Sequence, residues 1–170
     1  MTGSPADVLR WLRDEARFAQ LVTVDRDGFP VARTVGAPVN DDWSVDLVQR
    51  RSHRRLAQLR DNPRLEIIWV GTPAPGSRND RPAVFDYGWL APRAVFLRGV
   101  AQFMDDEWTL ARYRQLSGVL RARGGTRAPR RDPDDVRADL VGVHVRPVRV
   151  RAEGFGGAPG AVTWRIEDLS

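Results

Sequence analysis

Leu21-Val22-Thr23-Val24-Asp25-Arg26-Asp27-Gly28-Phe29-Pro30-Val31-Ala32-Arg33-Thr34-Val35-Gly36-Ala37-Pro38-Val39 is the stretch that decides the fold. Two β-rich runs flank the turn Asp25–Gly28, and its Asp-Gly pair is a strong hairpin signal because glycine accepts the positive φ of tight turns. The return run alternates: Val31, Arg33, Val35, Ala37 and Val39 share one face, and Ala32, Thr34, Gly36 and Pro38 the other. This predicts an antiparallel hairpin with one apolar face, which Arg33 interrupts. An unpaired buried guanidinium is expensive, so Arg33 requires a partner, either a protein carboxylate such as Asp46 or a bound anion. The small residues opposite leave room for a planar ligand against the backbone, or for tight sheet packing.

Working outward, Ser4-Pro5-Ala6-Asp7 supplies a cap, a first-turn proline and an acid, and with Val8, Leu12, Glu15, Ala16 and Ala19 predicts an N-terminal helix that gives way to strand periodicity from about Gln20. Asn40-Asp41-Asp42 is a second polar turn before a strand over Trp43–Gln49. A two-turn helix on Leu56 and Leu59 ends before Asn62-Pro63, and Arg64–Val70 reads as a buried strand. Further strands are expected over Ala83–Leu90, Ala94–Phe103, Leu140–Ala152 and around Val162–Ile166, with a helix from Asp105 or Asp106 through Leu116. Residues 121–133, rich in Arg, Gly and Pro, predict a mobile loop, and Asp132, Asp134 and Asp135 a turn. Six or seven strands with peripheral helices give an α+β, mainly antiparallel domain: a six-stranded split β-barrel spanning residues 1–170.

Composition narrows the chemistry. The 170 residues suit one domain with a real core, and 42% of them are hydrophobic. There is no Cys, which excludes disulfides, iron–sulfur ligation and a cysteinyl nucleophile. All 27 basic residues that make up Lys+Arg are arginines, giving net charge +5 and excluding Schiff-base chemistry on a lysine. No long apolar run or signal segment is present, so a cytoplasmic protein without membrane association is expected. His53 and His144 lack metal-ligand spacing, so no metal site is expected, and no P-loop, dinucleotide or hydrolase motif occurs.

The second informative stretch is Gln49-Arg50-Arg51-Ser52-His53-Arg54-Arg55-Leu56, where a strand hands over to a helix. First turns of helices favour acids, because the N-terminus already carries positive partial charge. Here four arginines and a histidine crowd that terminus, with Ser52 placed as N-cap. The arrangement is either a solvated basic turn or a phosphate site built from free N–H groups and guanidinium forks.

Together these residues resemble a known family. Thr23-Val24-Asp25-x-x-Gly28-x-Pro30-x-x-Arg33-x-Val35, then Arg54-Arg55 and Asn62-Pro63, are similar to the pyridoxamine 5′-phosphate oxidase-like flavin-binding split-barrel superfamily, over roughly residues 16–103. The resemblance implies a homodimer with FMN in the groove between subunits. It implies that Arg33, Thr34, Val35 and Gly36 contact the flavin, that Val48 and Gln49 fall on a Tyr-Thr pair, and that His53, Arg54 and Arg55 fall on the Ser-Arg-Lys phosphate motif. Arg93-Ala94-Val95-x-x-x-Gly99 resembles a later strand motif of the family.

Departures accompany the likeness: Pro38 replaces a Lys, Gln49 a Thr, His53 a Ser and Ala94 a Gln, and the C-terminal substrate motif is missing. These argue against the oxidase's own substrate. The expected function is an FMN-binding oxidoreductase acting on a small organic substrate. The deazaflavin F420 is the alternative cofactor, and non-catalytic flavin or heme binding the alternative role. No catalytic residue is assigned. Trp43, Trp69 and Trp89 are large apolar surfaces available to a partner. The arginines of 121–131 suggest nucleic-acid binding as a competing class, disfavoured because no aromatic residue interleaves them.

Overall fold

The computed structural model describes residues 4–16, 18–76, 90, 92–122, 131–155 and 162–169. Helix α1 (Pro5–Asp14) begins as its sequence dictates: the Ser4 hydroxyl caps it by accepting from the Asp7 amide, and Pro5 opens the first turn. Its apolar face puts Val8, Trp11 and Leu12 into the core. The hairpin joins β1 (Phe18–Val24) to β2 (Pro30–Gly36). Its turn is tied by the Asp25 carboxylate, which accepts from the amides of Asp27 and Phe29, and by Gly28 at φ 85°.

Strand β3 (Val45–Arg50), helix α2 (Arg54–Asp61), β4 (Arg64–Val70) and β5 (Ala94–Phe103) follow. Then come α3 (Asp106–Ala122), α4 (Pro133–Asp139), β6 (Leu140–Glu153) and β7 (Val162–Arg165). Six strands run in the order β2-β1-β4-β5-β6-β3, all antiparallel, and the short β7 pairs with β6. The sheet is not closed: β2 and β3 end the order, joined only by the bridge between Val39 and Val45. This is the split barrel expected from the sequence.

The length of β6 makes the split possible. Its first half pairs with β3 and its second with β7, while β5 runs along its other edge. The β5–β6 register slips after Arg98, so that Arg98 faces Arg149 and Gly99 faces Pro147. Val148 is the extra residue of the resulting bulge, and Pro147, which has no N–H to donate, is accommodated there. A Cβ on Gly99 would lie 2.5 Å from Val145 Cγ1 and 2.8 Å from the Arg146 carbonyl oxygen. The glycine therefore reflects close backbone approach.

The core lies inside the curled sheet and is filled by Leu21, Leu47, Ile67, Trp69, Leu97, Val143 and Val145, with Leu56 and Leu59 of α2 closing one end. Trp43 and Trp69 are core residues, 3% and 0% exposed: the alternation of β4 turns Trp69 inward, and the turn before β3 turns Trp43 inward. They are not surfaces for a partner, and Trp89 lies outside the described residues. Trp43 holds φ 64° in the Asn40–Ser44 turn, a conformation unfavourable by about 1–2 kcal/mol for a side-chain-bearing residue. Burial of its indole offsets that cost. A smaller cluster of Leu110, Val136 and Leu140, with Val48 and Tyr113 against it, seats α3 and α4 on the sheet.

Other local expectations need revision. The Asp132–Asp135 segment opens helix α4 rather than a plain turn: Asp132 caps it through the Asp134 amide, with Pro133 in the first turn. The ends of the segment expected as a mobile loop are structured: Arg121 and Ala122 finish α3, Arg131 bonds Asp139, and Pro133 opens α4. Residues 123–130, and the strand expected over Ala83–Leu90 except Leu90, lie outside the described residues. No helix among the described residues is long and apolar enough to cross a membrane.

Candidate functional site

The basic stretch divides into two halves with different partners. Arg50 and Arg51 face α3 and α4. Arg51 binds the Asp106 carboxylate and the Arg137 carbonyl, and Arg50 lies 4.0 Å from Asp139. These two arginines fasten β3 to the helical layer. Arg54 and Arg55 make no ion pair among the described residues, and neither does Arg33.

The N-cap of α2 is His53, not Ser52, because the turn closes with the His53 amide donating to the Arg50 carbonyl. The imidazole makes no capping bond, and the first turn holds no acid. The helix is anchored by Leu56 and Leu59 in the core and by the Thr23 hydroxyl bonded to Gln58 at 2.7 Å. Its N-terminal amides therefore meet two unneutralised arginines with nothing acidic to balance them.

Around this terminus Gln49, His53, Arg55 and Arg33 converge. Arg55 Nη2 lies 3.1 Å from His53 Nδ1, and Gln49 Oε1 lies 3.3 Å from the same nitrogen. A guanidinium only donates, so Nδ1 accepts from Arg55 and the ring proton sits on Nε2. With that lone pair taken, the Gln49 oxygen at 3.3 Å makes a contact rather than a hydrogen bond. Arg55 Nη1 is buried and has no partner among the described residues. Burial, and then the like charge of Arg33, lower the Arg55 pKa from the usual arginine value. Burial first, then Arg55 and Arg50, lower that of His53, with Asp139 acting the other way. An anion placed here would satisfy Nη1 and relieve both like-charge contacts.

The remaining candidates are distributed differently. Arg33 is exposed, its Nη1 donating to the neighbouring Ala32 carbonyl at 3.0 Å, and it does not meet Asp46. Asp46 is taken by His144 Nδ1 at 2.7 Å and Arg112 Nη2 at 3.0 Å, in a buried network that also holds Asn40. Thr34 and Gly36 face outward on the opposite side of β2, with Thr34 Oγ1 accepting from Gln20. Space beyond Gly36 is open: an added Cβ would meet nothing within 4 Å, so packing within the chain does not require a glycine there. Val35 is in the core and Val48 packs under α3 and α4, so each can reach a ligand only through its backbone.

One motif from the sequence proves structural. Arg93, 4% exposed, is held by both Glu15 oxygens, by the Thr72 carbonyl and by the face of Trp11. The Asp46–His144 pair escaped sequence reasoning because it depends on the β3–β6 register, which sets these two residues opposite one another. Two surface hollows lie away from the α2 turn. One, about 420 Å³, is lined by Trp11, Glu15, Phe18, Val70, Thr72 and Arg93; the other, about 380 Å³, by Tyr113, Arg114, Arg121 and Arg131.

Comparison with known proteins agrees with the fold. The family described as pyridoxamine 5′-phosphate oxidase matches residues 6–152. No curated protein matches the sequence. Among solved structures, a heme binding protein from Mycobacterium smegmatis superposes with TM-score 0.64 at 24% identity. The alignment covers 99% of this chain and 61% of that one, so the present chain spans about three-fifths of that protein. General Stress Protein 26 from Bacillus anthracis str. Sterne gives 0.61 at 13% identity, covering 94% and 96% of the two chains. An F420 reductase gives 0.56 at 19% identity, covering 82% and 92%. At these identities the likeness is one of fold.

Proposed function

The chain belongs to the pyridoxamine 5′-phosphate oxidase family, and on that premise we propose that it is a homodimeric, FMN-binding oxidoreductase acting on a small organic substrate. The observation that carries the reading is Arg55 Nη1, a buried donor without a partner at an uncapped helix terminus. Such a group costs about 1–3 kcal/mol while unmatched, and a phosphate oxygen is the natural acceptor. Arg54 and Arg33 add charge, and the first amides of α2 add oriented N–H groups. The backbone of β2 from Thr34 to Gly36 lines the isoalloxazine, with the glycine leaving its outer side clear. Gln49 directs its amide to the cofactor rather than to His53.

The flavin, when bound, supplies hydride transfer; the chain's residues anchor and orient it. A second subunit completes the groove, which accounts for the exposed Phe18 beside Gly36 and for exposed Val70 at the end of β4. F420 is the second reading, supported by the fold shared with an F420 reductase and by the same demand for an anion.

The test is mass spectrometry of the ligand released from purified protein, followed by reduction assays with NAD(P)H and with reduced F420. Bound FMN and turnover with NAD(P)H support the first reading. Bound deazaflavin supports the second. Cofactor without turnover under either donor makes the protein a non-catalytic flavin carrier.

A further inference from the structure

We propose that His53 is a proton-carrying ligand of the cofactor phosphate, which takes up a proton as the phosphate seats and so selects a dianionic phosphomonoester over a phosphodiester. The inference rests on the reading of the α2 turn as a phosphate site, and deepens it.

The geometry is specific. His53 occupies the N-cap yet leaves the helix amides free, and its Nδ1 is held as an acceptor 3.1 Å from Arg55 Nη2. A protonated imidazole cannot accept that bond, so the contact exists only with the neutral ring. The charged groups acting on the ring come from three elements: Arg50 from β3, Arg55 from α2 and Asp139 from the end of α4. Arg33 of β2 acts on Arg55 in turn. Burial and the two arginines outweigh Asp139, and the imidazole's pKa lies below the ordinary histidine value.

A seated phosphate inverts this balance. Arg55 turns both nitrogens to the anion, the lone pair on Nδ1 is released, and the ring faces negative charge where the two guanidinium groups had outweighed Asp139. Protonation then gives the phosphate a further charged donor. A phosphomonoester, whose second pKa is about 6, brings two negative charges at neutral pH, and the proton comes from solvent. A phosphodiester, such as that of F420, brings one, which Arg55 and Arg54 already balance. No protonation of His53 is then needed.

The experiment is calorimetric titration at about pH 7.5 in buffers of different ionisation enthalpy, with FMN, riboflavin and F420 against the parent and His53→Gln. FMN binding to the parent should take up most of one proton, riboflavin and F420 almost none. His53→Gln should still bind FMN, several-fold more weakly, with the uptake abolished. From about pH 7, where the phosphate is dianionic, up to the bound-state midpoint, parent affinity should fall by up to about tenfold per pH unit, and that of the variant should stay flat. Because the chain has only two histidines, NMR of the ring protons gives an independent readout. FMN should raise the His53 midpoint. Equal uptake in parent and variant, or an unmoved His53 midpoint, with FMN still preferred to riboflavin, overturns the inference and leaves the phosphate site standing. FMN binding no tighter than riboflavin overturns both.

Discussion

Arg55 donates to His53 across 3.1 Å with one guanidinium nitrogen while the other is buried without an acceptor. A neutral histidine is a modest partner for a permanently charged group, and one nitrogen satisfied of two leaves the fork half used. A phosphate that accepts from both nitrogens is the partner the proposed function assigns to Arg55. The same relationship makes stability depend on pH. Because the folded-state pKa of His53 is depressed, the unfolded chain binds the proton more readily. Its contribution is full above the ordinary histidine value of about 6.5 and is lost as pH falls through the folded-state value. Denaturation of the apo protein should therefore show stability declining on acidification below about pH 6.5, and His53→Gln should remove that portion of the decline.

Asp46 is 6% exposed and binds Arg112, His144 and Asn40 together. Asp46→Ala leaves Arg112 buried with Gln115 and Asn40 as its remaining partners. The expected loss is about 3–5 kcal/mol, the range for breaking a buried ion pair from one side, read from urea unfolding. A loss below about 1 kcal/mol would mean that water reaches this network.

Two glycines of the barrel should respond in opposite ways. Gly99→Ala drives a methyl against Val145 and the Arg146 carbonyl and should destabilise the fold by about 1–3 kcal/mol. Gly36→Ala meets nothing in the chain and should leave stability unchanged or raise it by about 0.5 kcal/mol. It should nonetheless weaken flavin binding, because the methyl enters the space assigned to the ring. Unfolding curves and flavin titrations on both variants check the pair.

What the sequence made legible was mostly local. The cap of α1 and the Asp25–Gly28 turn are chemistry confined to a few neighbouring residues, and the alternation of β2 needs no partner strand to be read. The site was legible only in part, for the same reason. The partners that remove Arg50 and Arg51 from the proposed anion site, Asp139 and Asp106, lie on helices distant in sequence. Asp46 could be assigned to Arg33 because the register that sets it opposite His144 is a tertiary fact. The Asp132-Pro133 start of helix α4 reads as a turn in the sequence, because its seven residues offer too little periodicity to distinguish the two.

Phe18 is 69% exposed on the face that carries Gly36. If that face meets a second subunit, Phe18→Glu should convert a dimer to a monomer in light scattering and reduce flavin occupancy, with little change in the stability of the isolated fold. A dimer unaffected by the change would move the interface elsewhere. A monomer that holds its full complement of flavin would contradict the shared groove.

The central claim is that the α2 turn binds a phosphate through Arg55, and the most direct measurement is the affinity of Arg55→Ala for FMN and for riboflavin. A charge-assisted hydrogen bond contributes about 1.5–3 kcal/mol, so FMN affinity should fall about tenfold to a hundredfold. Riboflavin, which lacks the phosphate, should bind the parent weakly and be nearly indifferent to the substitution. The account predicts that the two ligands converge in the variant. Equal losses for FMN and riboflavin would contradict it, and would make Arg55 a support for the ring or the fold.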